Sequence, residues 1–97
     1  MKKEKLKITE SCGNVFLDLG FSPEEATILA MRSQLMGELR IKIRDKQWTQ
    51  AAAAKVLGIS QSRVSDLIRG KWDKFSLDML ITLATRAGGK VELKLAA

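Results

Sequence analysis

The chain has no histidine and a single cysteine, Cys12, among its 97 residues. Common zinc sets and nucleophile–base pairs draw on those two residue types, so no catalytic centre, metal site or cofactor is expected. One cysteine cannot close an intramolecular disulfide, and it fits a reducing compartment, where Cys12 reads as an incidental thiol. No stretch approaches the roughly 18 consecutive apolar residues of a membrane helix. The basic start, Met1 to Lys7, leads into no apolar core of a secretory signal, so a cytoplasmic protein is expected. Internal repeats and low-complexity tracts are also missing. What is present, 45% hydrophobic residues, is enough for the core of one small domain.

Charge is unevenly spread. Between Arg40 and Lys74 lie nine basic residues and three acids, a surplus equal to the net +6 of the whole chain, so the flanks are neutral together. A basic concentration of this kind is either a solvated helix face or the footprint of a polyanion.

Its position decides between the two. Starting at Gln50, the sequence to Arg69 fits a twenty-residue helix-turn-helix template at each position where that template is strict. Small Ala54 falls at position five and Gly58 at nine, with Ala53, Leu57, Ile59, Val64 and Leu67 at the apolar positions. Helices that cross steeply leave space at position five for little more than a methyl group. The turn needs a dihedral that glycine adopts most cheaply. The apolar set points from both helices into one core.

Double-stranded DNA is therefore the expected partner. The motif's second helix enters the major groove by its N-terminal end while the first crosses the backbone. That geometry nominates Ser60, Gln61, Ser62, Arg63, Ser65, Asp66, Arg69 and Lys71, with Gln50 at the start of the preceding helix holding a phosphate. Gln61 has the amide geometry for adenine and Arg63 the fork for guanine. Asp66 can accept from cytosine or orient Arg63 or Arg69, of which orientation is preferred. Arg69, Lys71, Lys74, Lys46 and Lys55 read as phosphate neutralisers. Arg63 is the most telling, because a cation in the first turn opposes the helix dipole and a polyanion outside would offset that mismatch.

Around this motif the pattern is helical. Ser22, Pro23 and Glu25 form a capping box that opens a helix to about Arg44, with Leu35, Leu39 and Ile43 facing inward and Gly37 marking a kink or a close contact. Thr49, Ser60 and Ser76 are N-caps of the next three helices, and Gly88 and Gly89 end the last. Phe21 is placed as a staple toward Ala26, while Trp72 and Phe75 plug the underside. Lys90 to Leu95 alternates polar and apolar residues, the period of a strand. Its partner is the arm near Leu6 to Ile8, the Val15 to Leu19 stretch, its own domain by folding back, or the same strand of a second subunit; the second subunit is preferred. The expected organisation is a mobile arm with an apolar strip (1–22), a DNA-binding domain (23–89) and a dimerising strand (90–97).

The run TQAAAAKVLGISQSRVSDLIRGKWDKFSLDMLITLATRAG resembles the Cro/C1-type (XRE) helix-turn-helix family. The resemblance implies an all-α, lambda-repressor-like domain of four to five helices followed by the C-terminal β-strand, and assigns the main DNA contacts to Gln50, Gln61, Ser62 and Arg63, with Asp66 a variable one. Together with GNVFLDLGFSPEEA and the terminal VELKL, the chain resembles the HigA-type antitoxins. That narrower likeness implies a homodimer that represses its own operon at an inverted repeat and neutralises a toxin. Val15, Phe16, Leu17, Leu19 and Phe21 would form the toxin-docking strip, or else pin the segment to its own first helix. A stand-alone repressor with no toxin is the alternative.

Overall fold

A computed structural model describes residues 15–95. The Met1 to Gly13 arm, with Cys12 and the Leu6 to Ile8 pairing candidate, lies outside the described residues. The order of elements is α1 (Val15–Asp18), α2 (Pro23–Asp45), α3 (Gln50–Leu57), α4 (Gln61–Ile68), a 3-10 turn (Trp72–Lys74) and α5 (Leu77–Arg86). Helix α1 comes from the apolar strip, which sequence alone left without a structure.

Each helix start expected from sequence is formed. The Ser22 hydroxyl accepts from the Glu25 amide at 3.2 Å and the Glu25 carboxylate accepts from the Ser22 amide at 3.3 Å, a complete capping box. Thr49, Ser60 and Ser76 accept in the same way from the amides of Ala52, Arg63 and Met79. The helix ends share one device, a residue of positive φ followed by an amide that reaches five residues back. At α2 that residue is Gln47 rather than glycine, at φ 57°, and the Trp48 amide donates to the Ile43 carbonyl at 3.1 Å. A side chain in this region carries a steric cost that glycine escapes.

The core is built on α2. Its Leu35, Met36, Leu39 and Ile43 meet Ala53 and Leu57 of α3, Val64 and Leu67 of α4, and Leu80 and Leu83 of α5, with Phe75 closing the underside. A second cluster joins Phe16 of α1 to Ala26 and Leu29 of α2. Half-buried Trp72 packs on both, its ring edge-to-face with Phe16 at 5.8 Å. Phe16 is thus the anchor of the strip, and exposed Phe21 packs edge-on against it at 6.1 Å instead of stapling α2 alone. Ile81 is exposed on the outer face of α5.

Two expectations are corrected. Gly37 makes no close contact: α2 runs unbroken through it, and a β-carbon added there would meet nothing within 4 Å. The terminal segment forms no strand among the described residues. Val91 is half-buried against the core, whereas Leu93 and Leu95 are 79% and 91% exposed. A strand needs a ladder partner, and Val15 to Leu19, one candidate within the chain, is consumed by α1 and its turn.

These backbone features yield a stability test. Gly37→Ala adds a methyl to an open helix face, and Gln47→Gly relieves the positive φ. Each is expected to stabilise the fold by about 1 kcal/mol, read as a rise of roughly 4–8 °C in the thermal midpoint.

Candidate nucleic-acid interface

Helices α3 and α4 pack on one another through Ala53, Leu57, Val64 and Leu67, all fully buried, while Ala54 and Ile59 pack beside them. The turn between them hinges on Gly58, left-handed at φ 73°. Its amide donates to the Ala54 carbonyl at 2.8 Å and the Ile59 amide to the same oxygen at 3.1 Å. Sequence reading missed the group that locks this turn from outside. Arg86, at the end of α5, donates from Nη1 to the Leu57 carbonyl at 2.8 Å, satisfying an oxygen at the C-terminus of α3. A β-carbon on Gly58 would stand 2.9 Å from that same Nη1, so glycine is required both for its φ and for the guanidinium. A basic residue in a last turn is a general helix signal, but nothing local connects Arg86 to a carbonyl 29 positions away.

This scaffold presents α4. Gln61 and Ser62 are exposed in its first turn, Ser65 and Asp66 are half-buried on the next, and Arg69 and Lys71 lie exposed just past its end. Spacings of three and four residues put Ser62, Ser65, Asp66 and Arg69 on one face. The Ser60 hydroxyl is engaged as the N-cap through the Arg63 amide at 3.1 Å, so its first role is structural. Gln50 is exposed at the first position of α3, directly after its Thr49 cap.

Arg63 is held rather than loose. Its Nη1 lies 3.3 Å from Asp66 Oδ2, and its guanidinium carbon sits 5.9 Å from the centroid of the Phe75 ring. Of the two partners sequence offered Asp66, the structure selects Arg63. The dipole mismatch in the first turn of α4 is therefore partly offset inside the chain. Lys46, Lys55, Arg69, Lys71 and Lys74 are exposed and have no carboxylate within ion-pair distance among the described residues. Asp45 pairs with Arg44 at 3.8 Å, with both side chains well exposed.

The model of the helix-turn-helix domain family matches residues 15–96, from the start of α1 to beyond the last described residue. The chain belongs to that family. Helix-turn-helix domains are a DNA-binding regulatory class, and membership points to DNA as the partner. No curated protein matches the sequence. Among the described residues, no helix is long and apolar enough to cross a membrane, and no three His, Cys, Asp or Glu gather as metal ligands.

The Gly58–Arg86 contact has a measurable consequence for this helix-turn-helix. Gly58→Ala is expected to destabilise by about 1–2 kcal/mol through backbone strain and the displaced guanidinium. Arg86→Met should cost about 1 kcal/mol by removing the Leu57 bond. Both act on one contact, so the double variant should lose less than the sum of the two in denaturant titrations.

Proposed function

We propose that this chain is a sequence-specific transcriptional repressor that binds an inverted-repeat operator as a dimer, with α4 in the major groove. The observation that carries the reading is the juxtaposition along α4 and just past its end: polar Gln61 and the short Ser62 and Ser65 beside Arg63, flanked by exposed Arg69 and Lys71. Short side chains let the helix approach base edges, and the cations flank it for phosphates. Gln50 meets a phosphate from the start of α3. Repression needs no chemistry, because occupying a promoter excludes polymerase.

The second half of the proposal is that the same protein is an antitoxin that neutralises a partner toxin. It is favoured by how the apolar strip divides. Phe16 alone anchors it, while Val15, Leu17 and Leu19 are turned outward, Leu19 at 68% exposure, and Phe21 is partly so. Pinning α1 to α2 accounts for Phe16 and leaves the outward side chains for a protein surface. The stand-alone repressor, in which those side chains have no partner, is the competing reading.

Two measurements test these halves. Operator affinity should fall steeply with salt, and Lys71→Ala should reduce the slope of log K against log salt by about one unit; a slope unchanged by Lys71→Ala together with Arg63→Ala and Gln61→Ala would remove α4 from the DNA. For the antitoxin half, the gene beside this one is co-expressed with wild type and with a Val15→Ser, Leu17→Ser, Leu19→Ser variant. Rescue of growth by wild type, lost in a variant that still melts normally and binds operator, is the expected outcome. A harmless neighbour, or toxicity that wild type does not relieve, returns the protein to a simple repressor.

A further inference from the structure

The clamp on Arg63 goes beyond a base contact. Arg63 is the longest side chain in the first turn of α4, and it leaves its helix between two partners of different kinds. On one side the Asp66 carboxylate, one helical turn on, sits 3.3 Å from Nη1. On the other lies the ring of Phe75, which is 2% exposed and locked in the main core. The Arg63 side chain keeps 41% of its surface open and that of Asp66 only 23%. Arg63 is therefore restrained on two sides yet still able to reach outward.

We propose that Asp66 is a positioning residue which, with Phe75 as its platform, presets the Arg63 guanidinium for one base pair and lowers general DNA affinity in return. This inference rests on the reading of α4 as the DNA-contacting helix. An unrestrained arginine has many rotamers and finds phosphates as readily as bases, because phosphate contacts ask only for charge. Occupying one edge of the guanidinium with a carboxylate and backing its face with an aromatic ring leaves the remaining N–H groups in a fixed fork, the geometry that guanine O6 and N7 accept. Asp66 also sets a negative charge on the surface that meets the polyanion. That repulsion acts on every sequence alike, so it weakens non-specific binding without favouring any base. A direct contact from Asp66 to a cytosine amino group is the rival role, and the two differ in where on the operator their loss is felt.

The experiment is in vitro selection of DNA from a random-sequence pool by the full-length chain, run in parallel with wild type, Arg63→Ala, Asp66→Asn and Phe75→Leu. Competition titrations of the wild-type site against unrelated duplex follow, with thermal melts to confirm folding. A positioning role predicts that Arg63→Ala and Asp66→Asn lose their base preference at the same base pair. It predicts further that Asp66→Asn binds unrelated duplex more tightly, so that the ratio of specific to non-specific affinity drops by about tenfold, within the range one well-made arginine–guanine contact supplies. Phe75→Leu, which keeps an apolar side chain in the core, should blur the same base pair without raising non-specific affinity, since it changes no charge. Preference lost at a different base pair shows that Asp66 reads a base itself and overturns the proposal. An unchanged motif in Asp66→Asn overturns it as well. Should Asp66→Asn melt early, Asp66→Glu keeps the charge on a longer stem, and a sharpened or unchanged ratio together with a blurred base pair supports presetting by geometry, whereas an unaltered motif counts against it. If the wild-type chain itself enriches no sequence, the failure lies with α4 as a DNA reader, and the positioning role falls with it.

Discussion

Close approach of α3 and α4 is the constraint on which the candidate interface depends. Two eight-residue helices cannot stand alone in water, so both must be held by what they bury. Ala53 and Ala54 let the helix axes come near each other, and buried Val64 and Leu67 fill the space behind. Gly58 turns the chain between them in a conformation that no side chain adopts cheaply. The guanidinium of Arg86 then occupies the space beside Gly58 and ties the end of α3 to α5. Relaxing any one of these shifts the angle at which α4 is presented at the surface.

Helix α2 is the other half of the arrangement. It supplies the largest share of the main core, so α4 and α5 are packed on one rod of 23 residues, and α3 is held in turn by α4 and α5. At its far end the same rod carries α1, through Phe16 on Ala26 and Leu29. Trp72 links the two clusters, so the turn after α4 lies against the anchor of α1. This places the proposed DNA face and the outward apolar side chains of α1 on a shared core, with Arg40 lying across the end of α4, where a β-carbon on Gly70 would stand 2.9 Å from its Nη1.

Local chemistry made much of the helical part legible. Ser22, Thr49, Ser60 and Ser76 were readable as caps because a hydroxyl three residues before an amide is a short-range signal that needs no tertiary context. The inward residues of α2 and the template positions of α3 and α4 followed from helical period alone. The reading failed where a segment's state depends on a partner. Lys90 to Leu95 has a strand's alternation, yet it stays irregular because periodicity describes which face is apolar and not whether a ladder exists. Val15 to Leu19 has no clear period and became helical because Phe16 found a site between Leu29 and Trp72.

By itself, the sequence determined the helix-turn-helix, its caps and the polar residues along α4, since all of these are set by spacing along one helix or across one short turn. Only the tertiary structure decided that Phe16 anchors the strip while Val15, Leu17 and Leu19 face outward, that Arg86 closes the turn at Leu57, and that Arg63 lies between Asp66 and Phe75. The physical reason is range: helix caps and helical period act within about four residues, whereas the contacts to Leu57, Phe75 and Trp72 exist only once distant helices share one core.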